Sequence, residues 1–427
     1  MSKFANFSSS KNPTLLTFRC LNFSRPPTFL LCKGFSSRSF PPSTISYLKV
    51  VNCRVNVQYL FRTSPPRHIP PVVWVVLRPV LKVAAVITGR SIRGWWRSLP
   101  KDKKTYLINE LKANRRKIGI IMSLIFCLSL GYYISHLEYT PITDRRRFMA
   151  FNSNQITKIL ELEMDQLMEN LGGQVLPANH PATKRVENVV NRILAANADI
   201  KELEGKKFKI TVINTPAENA FVIPIGHVFV YAGMLNLCSN DDQLGIILSH
   251  EIAHCILNHG MENLSFTHLL DLCSLAIIAV IWAVIPSDTI SVLSHWMFNK
   301  SIALFLQLPY NRTIETEADH VGLQLAAKAC FDVRESSAFW SKMAYLSKKF
   351  GSEPEVEFLS THPSHESRSE YLNNVMDDAL KLRASCGCPR LAYGDPREKI
   401  SSLIKETEAS RKAYFEQHKK PVVIFKV

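Results

Sequence analysis

Residues 246–260 carry side chains that could bind a metal ion and activate water. Within them, His250, Glu251 and His254 form the motif H-E-x-x-H. Residues four apart on a helix share one face, so both imidazoles can reach a single Zn²⁺ while Glu251 stands beside the open position as a general base. This pattern predicts metal-assisted hydrolysis. The alternative is two ordinary histidines on an amphipathic helix, because so short a motif also occurs by chance.

A catalytic zinc takes three protein ligands and keeps its fourth position for water, so a downstream side chain has to complete the site. Residues 311–319, with the sequence NRTIETEAD, offer two carboxylates, Glu315 and Glu317, ahead of Asp319. A solvated acidic helix start is the other interpretation of this stretch. The residues alone leave the choice between the two glutamates open.

H-E-x-x-H followed by E-x-x-A-D resembles the integral-membrane gluzincins, the family that includes the HtpX proteases and the CAAX prenyl proteases. The resemblance implies one Zn²⁺ per subunit, with Glu315 as the third ligand because it stands four residues before Asp319. It implies that Asp319 orients a ligand histidine. The expected fold class is α+β, a mostly helical zincin-type metallopeptidase domain with a small edge-strand sheet, preceded by one transmembrane helix.

A strand ahead of the motif extends the resemblance. Asn219 and Ala220, followed by a phenylalanine, resemble the family's N-A-F strand, which pairs with the substrate backbone. Ile225 departs from the small or polar residue that is usual after the proline of this strand. The resemblance implies that Asn219 and Ala220 bind substrate.

A histidine element near the C-terminal end extends the resemblance further. Residues 361–368, THPSHESR, are similar to the family's T-H-P element. This implies that His362 stabilises the oxyanion and that Arg368 is structural. His259 and His365 are predicted to be solvated loop histidines.

Charge separates the first hundred residues from the rest of the chain. The 427 residues carry a net charge of +16, which by itself would suggest a nucleic-acid partner. The first hundred residues, however, contain 15 Lys and Arg and no Asp or Glu, which leaves 37 basic residues against 36 acidic ones. We therefore expect no nucleic-acid partner and assign the basicity to the N-terminal region.

The N-terminal region has the composition of a targeting segment. Residues 1–38 are rich in Arg, Lys, Ser, Phe and Leu and lack acids, which predicts a mitochondrial transit peptide; a disordered basic tail is the alternative. Residues 39–117 are predicted to be a basic matrix-side segment. Within it, 72–89 is predicted to be an interfacial amphipathic element, because Arg78 and Lys82 would be costly at a bilayer centre; a core helix is the other option.

A single membrane span follows. Residues 118–134 carry no charge and predict one transmembrane helix of roughly 26 Å, at about 1.5 Å per residue. Basic residues before this segment outnumber the arginines at 145–147 after it. The N-terminus is therefore predicted to face the matrix, and the catalytic domain the intermembrane space.

Residues 150–395 are predicted to form the zinc metallopeptidase domain, with 396–427 as a C-terminal tail. Asn240 is predicted to cap the helix that carries His250. Apolar periodicity predicts helices at 156–171 and 180–196 and strands at 208–213 and 222–232.

Residues 269–308 form an apolar insertion between His254 and Glu315. Both ligands have to meet one zinc ion, so the chain between them crosses a membrane twice or not at all. We expect no crossing, with the insertion forming buried or membrane-dipping helices.

Ten cysteines over this length do not indicate a disulfide scaffold. One group is an exception, Cys330 together with Cys386 and Cys388. It predicts a redox-sensitive disulfide between Cys330 and either of the other two, in an oxidising intermembrane space.

The match over residues 180–395, with a presequence and one span ahead of it, looks closest to the mitochondrial inner-membrane metalloendopeptidases of this family, whose activity overlaps that of the m-AAA protease. The resemblance implies stress-activated cleavage of inner-membrane proteins, such as the dynamin-like fusion GTPase, and autocatalytic cleavage. It implies homo-oligomers and contact with the lipid bilayer.

Two other functions compete with this interpretation. One is a non-catalytic membrane scaffold with a structural zinc, whose site would be closed by a fourth Cys or His ligand and would not need Glu251. The other is a CAAX-type protease of the endoplasmic reticulum. The acid-free N-terminus and the lack of a multi-span pattern argue against the second.

Overall fold

The computed structural model describes residues 71–151, 153–350, 362 and 366–417. The predicted transit peptide at 1–38, the segment 39–70 and the last part of the predicted tail, 418–427, lie outside the described residues. The described chain is mostly helical and contains two small sheets, which confirms the predicted α+β class.

The elements follow one another from an N-terminal helical region into a mixed α and β domain. In chain order they are α1 (Pro71–Ser98), α2 (Lys101–Ala113), α3 (Arg115–Ser135), β1 (Leu137–Tyr139), β2 (Arg146–Phe148), α4 (Ser153–Leu171), α5 (Pro181–Ala196), β3 (Lys209–Ile213), β4 (Ala220–Ile223), β5 (His227–Tyr231), α6 (Ala232–Leu237), α7 (Asp241–Ile256), α8 (His259–Val284), α9 (Asp288–Ile302), α10 (Leu308–Lys328), α11 (Arg334–Phe350), α12 (Glu366–Asn374), α13 (Met376–Ser385) and α14 (Pro396–Gln417).

Helix α7 lies at the centre of the domain, and most of its side chains are buried. Asn240 caps it, because its side chain accepts a hydrogen bond of 2.8 Å from the backbone N–H of Gln243, which confirms the predicted start. After the C-cap, Leu257, the chain turns through Asn258, whose φ of 54° is left-handed. Helix α8 therefore begins at His259, directly beside the end of α7.

Helices α7 and α10 cross at close range because of a glycine. A Cβ on Gly322 of α10 would lie 2.8 Å from the Cα of His250, so a side chain at that position would push the helices apart. Glu315 stands seven residues before Gly322, which is about two helical turns. The contact therefore brings Glu315 to the same level as the histidines of α7.

The larger sheet has the strand order β3-β5-β4, with β3 parallel and β4 antiparallel to β5. The prediction of one strand over 222–232 is wrong, because residues 224–226 turn the chain and divide it into β4 and β5. Gly226 makes this turn with a φ of 88°, and its N–H donates to the carbonyl of Ile223 at 2.8 Å. Strand β4 pairs only with β5 among the described strands and lies at the edge.

The predicted apolar insertion forms most of a helical hairpin. Helix α8 continues to Val284, α9 returns from Asp288, and a π-helical segment, Ala303–Gln307, leads into α10. Helix α1 lies along α8, where a Cβ on Gly89 would be 2.5 Å from the carbonyl oxygen of Ala279. We call α1, residues 271–284 of α8 and α9 the three-helix unit.

Two described helices are long and apolar enough to cross a membrane, judged by length and composition alone: Arg115–Ser135 and His259–Val284. The first contains the predicted span 118–134, and none of its residues is buried. Only 22% of the most apolar window of the second is buried. The insertion is therefore not a pair of buried helices, and its membrane-dipping form stays a prediction.

Candidate active site

Three parts of the chain bring four potential metal ligands together. His250 and His254 of α7, Glu315 of α10 and His362 each place one donor atom within 4.8 Å of the others. The Nε2 atoms of the two α7 histidines are 3.1 Å apart, and carboxylate oxygens of Glu315 lie 3.4 Å from the Nε2 of His250 and 3.5 Å from that of His254. The Nδ1 atom of His362 lies 3.0 Å from Glu315 and 3.4 Å from the Nε2 of His250.

These distances fit a tetrahedral zinc ion. Zinc binds nitrogen and oxygen at about 2.0–2.2 Å, so the ligands of a tetrahedral site lie roughly 3.3–3.6 Å from one another. The two imidazole nitrogens face each other at 3.1 Å beside a carboxylate, which is how ligands of one metal ion are arranged. Within this group, the two imidazoles of α7 and the carboxylate of Glu315 match the donor set of a catalytic zinc site.

The structure distinguishes the two glutamates of the E-T-E sequence. Glu315 contacts both histidines of α7, whereas Glu317, about 200° further around the helix, contacts His259 and Arg145 instead. Burial raises the pKa of Glu315, but hydrogen bonds with His250 and His362 outweigh burial and hold the pKa far below its usual range. An ionised carboxylate is the form that binds a metal ion.

The electrostatic surroundings differ between the two histidine ligands. Burial, followed by the neighbouring His250, holds the pKa of His254 well below its usual value, so this ring is neutral. Burial also lowers the pKa of His250, but hydrogen bonds to Asp319 and Glu315 outweigh it and raise the pKa to about 9. Asp319 and Glu315 therefore favour a proton on His250, and a metal ion would compete with that proton.

Asp319 contacts the ring of His250 at Nδ1, the nitrogen that does not face the other candidate ligands. Its Oδ1 lies 3.1 Å from the Nδ1 of His250, which matches the predicted orienting role. Arg368 donates to both oxygens of Asp319, at 2.6 Å and 2.7 Å, and its guanidinium carbon lies 3.6 Å from the ring centroid of Trp340. Arg368 therefore holds the carboxylate that lies against the ring of His250.

Glu251 lies beside the metal ligands with its carboxylate almost fully buried. Its Oε1 is 3.4 Å from the Nε2 of His362. Burial raises the pKa of Glu251, which makes its carboxylate a stronger base. His362 faces the metal ligands in this conformation, and residues 361 and 363–365 of its motif lie outside the described residues. Its predicted role at an oxyanion remains a prediction.

The predicted substrate-binding residues lie at the start of the edge strand. Ala220 opens β4, and its N–H donates to the side chain of Asn219 at 2.9 Å. Strand β4 also packs against α7. An extended peptide added at this edge would run beside the helix that carries Glu251.

Sequence reasoning missed the buried charged cluster behind His254. His259 was predicted to be solvated, and that is wrong: it is 2% exposed, and its Nδ1 lies 2.9 Å from the Nδ1 of His254. It stands at the first position of α8, and the left-handed Asn258 turns it back toward α7. The H-x-x-E spacing of His259 and Glu262 on one helix face was the available signal.

The three candidate cysteines do not all pair. Cys330 and Cys388 form a disulfide with a Cα–Cα distance of 5.2 Å, while Cys386 is free and exposed. Cys255, next to His254, directs its Sγ toward the carbonyls of Ile223 and Pro224, away from the metal ligands.

The helix with H-E-x-x-H, the crossing helix with Glu315 and the edge strand together define a class of metal-dependent peptidases. Comparison with known families agrees, since residues 181–376 match peptidase family M48. The chain belongs to peptidase family M48, which confirms the resemblance drawn from its motifs.

Within this family, the chain is similar to mitochondrial metalloendopeptidases. The chain is 39% identical to "Metalloendopeptidase OMA1, mitochondrial" of Bos taurus, over 79% of this chain and 65% of the relative. It is 38% identical to the protein of the same name from Danio rerio, over 81% and 73%, and 32% identical to "Mitochondrial metalloendopeptidase OMA1" of Saccharomyces cerevisiae, over 62% and 77%. The match spans about 65% of the length of the bovine and human relatives.

Proposed function

We propose that the protein is a zinc metalloendopeptidase. The observation that carries the proposal is the meeting of His250, His254 and Glu315 beside the buried carboxylate of Glu251. His250, His254 and Glu315 would hold the zinc ion, which would supply the Lewis acidity that activates water and polarises the carbonyl of a peptide bond.

The chain's own residues then divide the work of hydrolysis. Glu251 takes the proton of the attacking water and passes it to the leaving amine. Asn219 and Ala220 begin the strand that aligns the substrate backbone. His362 donates to the oxyanion once it turns from the metal ligands.

The setting of this activity is the mitochondrial inner membrane. Two observations support it, the names of the relatives, which place them in mitochondria, and helix α3, which is exposed throughout and carries no charge between 118 and 134. The N-terminus faces the matrix and the catalytic domain faces the intermembrane space. Substrates are inner-membrane proteins such as the dynamin-like fusion GTPase, cleaved under stress by a homo-oligomer that also cleaves itself.

Replacing the general base tests the activity most directly. Glu251→Gln keeps the size of the side chain but cannot accept the water proton, so cleavage of a model membrane substrate should fall about 10² to 10⁴-fold. Zinc content, measured on the same purified chain, should stay at one ion per subunit. A variant that cleaves at the wild-type rate would refute the assignment.

The scaffold alternative keeps one observation in its favour, the position of His362 beside the metal ligands. A structural site is closed by four protein ligands. His362→Ala should therefore lose zinc if the site is structural, whereas the proposed enzyme should keep zinc and lose activity. Zinc content and cleavage rate of this single variant separate the two functions.

Topology has its own test. A C-terminal tag on the chain should be digested by external protease in mitoplasts, whose outer membrane is opened, and protected in intact mitochondria. Protection in mitoplasts would place the catalytic domain in the matrix and contradict the proposed orientation.

In the intermembrane space, the Cys330–Cys388 disulfide is proposed to be redox-sensitive.

A further inference from the structure

A buried cluster of one histidine and two carboxylates lies directly beside the candidate metal ligand His254. It contains His259 and Glu262 of α8 and Glu317 of α10, all at most 8% exposed. The Nε2 of His259 is 3.1 Å from the Oε2 of Glu317, while its Nδ1 faces the Nδ1 of His254 at 2.9 Å. His259 therefore lies between a ligand histidine and a carboxylate.

The direction of each hydrogen bond in the series from His254 through His259 to Glu317 follows from metal binding. A neutral His254 that binds a metal ion through Nε2 carries its proton on Nδ1, and that N–H needs an acceptor. The Nδ1 of His259 is the atom in reach, so it accepts, and the Nε2 of His259 carries the proton that it donates to Glu317. Glu317 thus sets the tautomer and ring orientation of His259, and His259 in turn sets those of His254.

The cluster is held by the β1–β2 hairpin. Arg145 donates from Nε and Nη2 to Glu317 at 2.8 Å and 2.6 Å, and its Nη1 lies 2.7 Å from Glu262. Thr143 donates a hydroxyl hydrogen bond to Glu317, and Arg147 donates to the carbonyl of Leu257, the C-cap of α7. The hairpin therefore contacts α7, α8 and α10, the helices that carry His254 and the cluster.

The same hairpin is the first structure after the candidate membrane helix α3. Only His136 separates Ser135, the last residue of α3, from β1. Phe148 of β2 stacks on Tyr133 of α3, with ring centroids 5.5 Å apart. The end of α3 and the hairpin thus form one continuous packed element.

The turn of the hairpin is strained. Ile142 has a φ of 70° and Asp144 a φ of 52°, left-handed values that a β-branched residue in particular rarely adopts. Such conformations persist where surrounding contacts hold them. Here the contacts are those that Thr143 and Arg145 make with Glu317.

A second metal ion at His259, Glu262 and Glu317 is the competing explanation of the cluster. Two guanidinium groups already stand against these carboxylates, since Arg145 bridges both and Arg147 lies 3.4 Å from Glu262. The two positive charges balance the two negative ones. A divalent cation would have to displace an arginine.

We propose that His259 and Glu317 are positioning residues for the metal ligand His254, and that Arg145 of the β1–β2 hairpin holds them in place. The segment that follows α3 is then part of the metal site, and the position of α3 relative to the domain bears on metal geometry. This inference rests on the proposed zinc enzyme and adds residues that the H-E-x-x-H motif does not include.

Metal affinity and metal spectra test it independently of cleavage. The full-length chain, purified in lipid nanodiscs, is titrated with zinc against a competing chelator, and its cobalt form is measured by visible absorption. Arg145→Gln, Glu317→Gln and His259→Phe should each weaken zinc binding about 10- to 100-fold and change the cobalt spectrum, as loss of a group that orients a ligand does. Thr143→Val, which removes a single hydroxyl, should cause a smaller loss in the same direction.

The matched control is Arg146→Gln, on the same strand as Arg147 but exposed and donating to the hydroxyl of Tyr139. It should bind zinc as the wild type does, with the wild-type cobalt spectrum. Wild-type zinc affinity and a wild-type cobalt spectrum in Arg145→Gln and Thr143→Val would overturn the inference but leave the proposed function standing. A wild-type chain that binds no zinc would refute both the inference and the proposed function.

Discussion

The catalytic core and the three-helix unit place their charged and apolar side chains in opposite ways. In the core, His250, Asp319 and Arg368 are buried and contact one another, while apolar residues fill the interior around them. In the three-helix unit, large apolar side chains face outward. Those on α8 and α9 include Leu272, Ile277, Val280, Val284, Ile290, Val292, Leu293, Trp296 and Met297.

Several charged groups of the three-helix unit form ion pairs between its helices. Arg78 and Lys82 of α1 contact Asp271 of α8 at 2.6 Å and 3.0 Å, and Arg93 contacts Asp288 at the start of α9. An apolar outer surface with its charges paired between helices is the arrangement expected in a bilayer. The comparison shows that the core buries its apolar side chains, whereas the three-helix unit exposes many of its own.

Both regions nevertheless use the same device to pack helices closely. Gly322 lets α10 approach α7, and Gly89 lets α1 approach α8. The first contact sets the distance between metal ligands, whereas the second joins only the three-helix unit. Adding one methyl group at each position therefore separates the two regions experimentally.

The largest effect is expected in the core, from Gly322→Ala. The new Cβ would meet the His250 backbone at 2.8 Å, so α10 has to move and carry Glu315 with it. We expect a loss of about 1–3 kcal/mol in the free energy of unfolding, from overpacking, together with weaker zinc binding. Denaturant unfolding and chelator competition measure the two quantities.

Gly260→Ala is the control for that change, because a Cβ on Gly260 meets nothing within 4 Å. It should leave zinc binding unchanged and stabilise α8 by up to about 1 kcal/mol. If Gly322→Ala behaved in the same way, the close helix contact would not position the site.

Gly89→Ala should act on the three-helix unit alone. The new Cβ would lie 2.5 Å from the carbonyl oxygen of Ala279, so α1 should separate from α8 at a cost of about 1–2 kcal/mol. Hydrogen exchange in nanodiscs should become faster in α1, while zinc affinity stays at the wild-type value. Gly94→Ala, where a Cβ meets nothing within 4 Å, should change neither. A loss of zinc in Gly89→Ala would show that the two regions are not separable.

The smallest effect is expected from Asp271→Asn. The variant removes the charge that Arg78 and Lys82 share, but both bases are 30–40% exposed, so the loss should be about 1 kcal/mol. Faster hydrogen exchange in α1, measured in nanodiscs, would report it. The exposed Asp102 of α2 offers a control, since Asp102→Asn should leave α1 unchanged. Equally fast hydrogen exchange of α1 in Asp271→Asn and Asp102→Asn would show that the ion pairs of Asp271 have no specific role.

Local patterns in the sequence predicted local structure well. The cap at Asn240, the helix at 180–196 and the apolar run at 118–134 all correspond to observed elements, because capping, periodicity and apolarity act within a few residues. The strand prediction at 222–232 failed at Pro224–Gly226, where turn chemistry interrupts an apolar run.

Such local patterns do not predict which residues far apart in the sequence contact each other. Arg78 and Lys82 both contact Asp271, which lies about 190 residues further along the chain, and the interfacial role of 72–89 stays a prediction. His259 is predicted to be a solvated loop histidine, whereas the turn at Asn258 buries it. The sequence offers Cys386 and Cys388 as disulfide partners of Cys330, and the structure pairs it with Cys388.

The sequence by itself determined that two imidazoles and a general base share one helix face, because the geometry of a single helix sets the spacing of His250, Glu251 and His254. Tertiary structure decided which carboxylate joins them and which groups stand behind them. Glu315 meets the histidines because Gly322 brings α10 against α7, and Glu317 instead meets His259 and Arg145. Contacts between distant segments depend on how whole helices pack, and no short stretch of sequence contains that information.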